Sequence, residues 1–167
     1  MRKIHILKAI VDLIWILSMI TTLVLLALLV GVWFIDLSEI GLKFNSIEFN
    51  SNSISSKILL TISCVSYLLL IAALYYFRKA LHQFLRVKIF EIEVITSFKK
   101  IGDLLLISGL LSLIVYFIGN LYLKSQVHLE IGLNEHIVIV CLGLFFMILS
   151  ETFKIAKANK EENDLTI

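Results

Sequence analysis

The chain has 167 residues, of which 59% are hydrophobic, with a mean hydropathy of +0.97 and a formal charge of +2. A soluble domain is about 45–50% apolar and at this length leaves roughly 30% of its unfolded surface in water, so this excess excludes a lone aqueous core and points to lipid. The small net charge argues against direct nucleic-acid binding.

A helix needs about 20 apolar residues to cross the hydrocarbon core. Four segments qualify, at about 10–35, 58–77, 101–123 and 137–153, all within a single membrane domain covering 1–167. The first is preceded by Arg2, Lys3 and Lys8 but is too long for a signal-peptide core of roughly 7–15 residues, so it is expected to remain as a helix. The fourth reaches spanning length only by carrying Glu151 and Phe153. The sequence has no proline, which favours unbroken helices over the interrupted ones frequent in transporters.

Lys and Arg alternate between loops. Arg2, Lys3 and Lys8 precede span one. Lys43 and Lys57 follow it. Arg78, Lys79, Arg86, Lys88, Lys99 and Lys100 occupy residues 78–100, Lys124 follows span three, and Lys154, Lys157 and Lys160 lie in the tail, 154–167. The positive-inside bias then places the N-terminus, the middle loop and the tail in the cytoplasm, as in a multi-pass protein of the inner (cell) membrane. Trp33, Tyr116 and Tyr122 fall near the outer interface, and Tyr75 and Tyr76 near the inner one.

The first outer segment contains Ile40-Gly41-Leu42-Lys43-Phe44-Asn45 and Ile47-Glu48-Phe49. The second alternates Val127, Leu129, Ile131 and Leu133 with His128, Glu130 and Gly132. Strict alternation marks a strand with one buried face. Two or three short strands are expected to form a small β cap, which would have to rest on the helices because an isolated hairpin is marginal in water. The expected fold is an all-α four-transmembrane-helix bundle with this cap.

On the cytoplasmic side, span two is expected to continue through 78–86. Ile89, Phe90, Ile92, Val94, Ile95 and Phe98, interleaved with Glu91 and Glu93, read as one or two short helices at the membrane surface. The basic residues of this loop would favour anionic headgroups; a solvated linker is the alternative. Asp12, Asp103 and Glu151 lie at the inner ends of spans one, three and four, at the level of Arg78. Ionisable groups within spans are candidate functional sites, so Asp12, Arg78, Asp103 and Glu151 form a candidate polar cluster. The competing reading is that the acids pair with neighbouring Arg and Lys and lock the helix ends. Small residues Ser108, Gly109, Ser112 and Gly119 suit close approach of another helix, from the same chain or a second copy.

Cys64 and Cys141 lie in apolar runs and form no metal pattern, and His5, His82, His128 and His136 fall on both sides of the membrane. No nucleophile elbow, zinc-protease motif or phosphate loop occurs. No enzyme activity, cofactor or metal is expected.

The ending Ile148-Leu149-Ser150-Glu151-Thr152-Phe153-Lys154, followed by Glu161-Glu162-Asn163-Asp164-Leu165-Thr166-Ile167, resembles the bacterial membrane family called domain of unknown function 2975 (YoaS-like). The segment Leu85–Gly102, with Phe90 and Ile101-Gly102, is similar to it as well, although Glu91 and Glu93 replace residues usual in its middle loop. The resemblance implies four spans and genomic company with a small helix-turn-helix regulator. The expected function is therefore a regulatory or scaffold protein that binds a cytosolic partner, such as a transcriptional regulator, through the middle loop (78–100) and the tail residues Glu161, Glu162, Asp164, Leu165, Thr166 and Ile167. The alternative is a small-solute or ion permease using the inner-rim acids.

Overall fold

The computed structural model describes residues 2–44, 47–49, 51–86, 91–123 and 134–165. Four long helices dominate: α1 (Arg2–Gly31), α3 (Ile54–Leu85), α4 (Ile92–Leu123) and α5 (Glu135–Leu165). Each is long and apolar enough to cross a membrane. The chain is thus a multi-pass membrane protein, and its described residues are mostly helical with a small two-stranded sheet. Lipid offers no partner for free backbone N–H and C=O groups, so continuous helices are the form these apolar runs must take.

All four helices outrun the lengths read from hydropathy. The first stops sooner, at Gly31 rather than Ile35, because Phe34 and Ile35 both turn back to donate to the Gly31 carbonyl. Polar caps set other ends. Ser53 Oγ accepts from the Ser56 amide ahead of α3, and Asn134 Oδ1 accepts from the Ile137 amide at the start of α5. Both bonds satisfy amides that lack an intrahelical partner.

Ile92–Phe98, expected to lie in separate surface helices, is instead the opening of α4. Val94 and Phe98 begin a buried stripe that continues as Ile101, Leu105, Ser108, Ser112, Val115 and Gly119. The steps alternate four and three residues, a 3.5-residue period that keeps one seam against a partner. Continuing the helix extends that seam, which a surface helix would break. Helix α3 repeats the period through Ser56, Leu59, Ser63, Ser66, Leu70, Ala73, Phe77 and Ala80.

The outer helices show half of this pattern. On α1, Val11, Ser18 and Leu25 are buried, one per seven residues, and Val32 just past its end keeps the step; on α5 the corresponding set is His136, Gly143 and Ser150. In the most apolar stretch of each helix, 11% is buried in α1 and 17% in α5, against 39% in α3 and in α4. Helices α3 and α4 are therefore central; α5 packs mainly on α4, and α1 mainly on α3.

Small and polar side chains join α3 to α4. Ser66 Oγ lies 2.9 Å from the Ser108 carbonyl and 2.7 Å from Ser112 Oγ, while Ser108 Oγ lies 2.8 Å from the Ser66 carbonyl. With one proton per hydroxyl, the set closes: Ser66 donates to the Ser108 carbonyl, Ser108 to the Ser66 carbonyl, and Ser112 to Ser66 Oγ. Glycine joins α4 to α5. A Cβ on Gly143 would stand 2.8 Å from the Leu106 amide nitrogen, and one on Gly102 2.9 Å from the Gly143 carbonyl oxygen. Larger residues would hold these backbones apart.

At one end of the bundle sits the cap. Asp36 caps a short helix α2 (Leu37–Ile40), which closes on Gly41 at φ 57°, a left-handed conformation suited to glycine. Strands β1 (Leu42–Phe44) and β2 (Ile47–Phe49) pair antiparallel, with Leu42 opposite Phe49 and Lys43 opposite Glu48. Lys43 and Glu48 approach to 3.6 Å on the exposed face. On the other face, fully buried Ile47 and Phe49 join Leu37, Val32, Leu59, Leu60 and Val115, and Ile47 fills the space beside Gly119. The cap rests on the helices as expected; the segment proposed for a third strand, 127–133, lies outside the described residues.

The opposite, basic end closes on aromatic rings. Phe98 stands 5.9, 5.8 and 5.4 Å from Phe84, Phe146 and Phe153, in tilted or edge-on contacts. Gln83 Nε2 donates to Glu93 Oε2 at 2.6 Å, tying the end of α3 to the start of α4.

Candidate functional site

Of the four residues in the candidate polar cluster, the structure joins two. Arg78 Nε donates to Asp12 Oδ1 at 2.5 Å, linking α3 to α1. No side-chain hydrogen bond or ion pair involves Asp103 or Glu151 among the described residues. Their helical positions account for this. Asp103 falls between the seam positions Ile101 and Leu105 of α4, and Glu151 is exposed one step past buried Ser150 of α5. The Asp12–Arg78 pair ties α1 to α3 about two turns or more inside the ends of both helices.

A pocket of about 330 Å³ opens beside this pair, lined by Lys8 from α1 and by Tyr75, Arg78, Lys79 and His82 from α3. Helix spacing builds it. Lys8 and Asp12 are four apart on α1, as are Tyr75 and Lys79, and Arg78 and His82, on α3, so each pair shares a face. Lys8 Nζ lies 3.5 Å from His82 Nδ1. Trp15, one turn beyond Asp12, meets the Tyr75 ring at a centroid distance of 5.5 Å. Tyr75 in turn stands edge-on to Tyr76, over which the Lys100 ammonium sits 4.8 Å from the ring centroid.

The electrostatics of this pocket are one-sided. Lys8, Arg78 and Lys79 each carry a positive charge and Asp12 one negative charge, which leaves an excess of two. The Asp12 bond uses one of the five guanidinium N–H donors. No other side-chain hydrogen bond of Arg78, and none of Lys79, occurs among the described residues. A site with surplus donors and surplus positive charge suits an anion. The sequence named Asp12 and Arg78 but did not assemble Lys8, Tyr75, Lys79 and His82 around them. The four-residue spacings were visible; the pairing of α1 with α3 was not.

A second pocket, of about 340 Å³, lies among α3, α4 and α5, lined by side chains such as Ala73, Phe77, Ile101 and Phe146. It is apolar throughout, with no polar group to orient a ligand. His136 is buried against the Tyr116 ring at 5.4 Å, far along the chain from His5 and His82. Cys64 is buried and Cys141 exposed, both as free thiols. No group of three metal-binding side chains occurs among the described residues.

In the tail, α5 runs unbroken to Leu165, with Glu161, Glu162 and Asp164 exposed and Lys157 3.6 Å from Glu161. Thr166 and Ile167 lie outside the described residues.

The family described as "Protein of unknown function (DUF2975)" matches residues 46–167. No curated protein and no solved structure matches the chain.

Proposed function

The chain belongs to the DUF2975 family of proteins of unknown function, and with no activity to inherit from it we propose that the protein is a regulatory or scaffold component. In this reading it is held in the cell membrane with both ends in the cytoplasm and captures a cytosolic protein such as a helix-turn-helix regulator. The loop distribution of Lys and Arg supports that sidedness.

One observation carries the proposal. Helix α5 is a single helix of 31 residues, about 46 Å long at 1.5 Å per residue, whereas the hydrocarbon core is about 30 Å thick. Roughly ten residues therefore lie beyond the hydrocarbon core. From Lys154 to Asp164 only Ala156 and Lys157 are partly covered by the rest of the chain, and Ile155 is exposed amid lysines and acids. A projecting helix with a charged surface and an uncovered aliphatic side chain offers a partner both polar and apolar contacts. A permease would need Asp12, Asp103 and Glu151 along one path. Commitment of Asp12 to Arg78 and packing of α1 mainly on α3 favour the binding role.

The test compares the full chain with a variant lacking 161–167, each tagged and extracted in mild detergent. A protein recovered reproducibly with the full chain and lost with the truncated one supports the role. Recovery of the full chain alone in repeated extractions overturns it. Labelling of a Glu162→Cys variant in intact cells by a membrane-impermeant reagent would overturn the cytoplasmic placement.

A further inference from the structure

We propose that the pocket between α1 and α3 binds the phosphate of an anionic phospholipid headgroup. The inference goes beyond protein capture and does not depend on it.

Three features converge on this ligand. The first is charge: the excess of two positive charges among Lys8, Arg78, Lys79 and Asp12 complements a phosphodiester. Arg78 is held by Asp12 through Nε, which leaves the terminal nitrogens to meet two phosphate oxygens side by side, while the lysines act as point charges. The second is place. Tyr75 lines the pocket and meets the Trp15 ring in a tilted contact, and such amphipathic rings mark the headgroup level. Basic pockets between helices at the membrane surface are suited to lipid headgroups.

The third is the neighbouring surface. The stripe of α1 that bears Asp12 continues at four- and three-residue steps as Ile16, Met19, Leu23 and Leu26, all exposed and all apolar. It is an apolar track leading from the pocket into the hydrocarbon region, where an acyl chain can lie. Free phosphate has no use for such a track; a lipid joins both surfaces at once. The pocket volume of about 330 Å³ is at the small end of ligand sites, which run from roughly 300 Å³.

The full chain in lipid nanodiscs made from equal parts phosphatidylcholine and phosphatidylglycerol tests this. Lipids retained after transfer to detergent are counted by native mass spectrometry. Phosphatidylglycerol should be enriched. Each lysine near such a surface contributes about 1 kcal/mol, a factor of about five, so Lys8→Gln with Lys79→Gln should cut the enrichment by roughly 25-fold. Lys154→Gln with Lys160→Gln, which removes the same charge from α5, should leave it unchanged. If the double pocket variant fails to assemble, Lys79→Gln alone reads the same site with about a fivefold loss. Equal retention of the two lipids by the unaltered chain overturns the proposal, as does equal loss in both double variants. Displacement of the lipid by inorganic phosphate would instead assign the pocket to a free anion.

Discussion

Replacing Gly143 by alanine tests the account of how α4 and α5 meet. The added Cβ would lie 2.8 Å from the Leu106 nitrogen, 3.1 Å from the Gly102 carbonyl oxygen and 3.2 Å from the Leu106 Cα. Comfortable carbon contacts begin near 3.5 Å, so the helices must part by about 0.7 Å. A gap of that size forfeits a quarter to a half of each dispersion contact along the crossing. Overpacking usually costs about 1–3 kcal/mol. The upper half of that range applies here because all three atoms are backbone and cannot rotate away. Alanine's better helix propensity offsets at most about 1 kcal/mol. The expected net loss is about 1–2 kcal/mol.

Equilibrium unfolding in mixed micelles measures this loss, with Gly31→Ala as the control. There the new methyl meets only the end of the Ile35 side chain, at 3.2 Å, and stability should hold or rise. Gly102→Ala acts at the same crossing as Gly143→Ala. Once one alanine has parted the helices, the second has less to displace, so the double variant should lose less than the sum of the singles. A Gly143→Ala protein as stable as Gly31→Ala, or strictly additive losses at Gly102 and Gly143, would refute this reasoning.

Ser66→Ala removes the bond to the Ser108 carbonyl and the acceptor for Ser112. With interhelical bonds in membranes averaging about 0.6 kcal/mol, it should cost about 1 kcal/mol by the same unfolding assay. Ser112→Ala, which removes one bond, should cost about half as much, and the reverse order would contradict the proton assignment. Asp12→Asn and Arg78→Gln should couple in a double-mutant cycle by no more than about 1 kcal/mol, because the two side chains are 30% and 43% exposed. A coupling several times larger would mean that the pair is shielded from water. The Ser38 hydroxyl and amide, both donating to the Asp36 carboxylate, hold that carboxyl below its usual range. Its contribution to the α2 cap is therefore present at neutral pH and lost as pH falls through the depressed value. Exchange of the Ser38 amide, corrected for its intrinsic rate, should quicken over that acidic range in the native chain and change little in Asp36→Asn.

Much of the fold was legible because lipid leaves few choices. Length and hydropathy determined four spans; alternation at Leu42–Phe44 and Ile47–Phe49 determined the hairpin. The seam of α4 was also present in the sequence, as the 3.5-residue series from Val94 to Gly119. The charged residues around Phe98 suit the polar face of a surface helix equally well, which masks the part of Ile92–Phe98 in the seam. Within the candidate site, Asp12 and Arg78 were visible as ionisable groups at span ends. The pocket was not, because it needs α1 beside α3, and two sequences of leucines and isoleucines do not say which helices touch.

Tertiary structure alone decided that choice, and the reason is physical. In water an apolar face must turn inward, so hydrophobicity predicts burial. In a bilayer leucine is at home against lipid or against another helix, and Leu23 and Leu25, two residues apart on α1, are respectively exposed and buried. Ser66, Ser108, Gly102 and Gly143 mark the true contacts, because hydroxyls seek partners out of water and glycine lets backbones meet. By itself the sequence determined that this chain crosses a membrane four times; only the packing of those crossings set Lys8, Arg78 and Lys79 around one pocket.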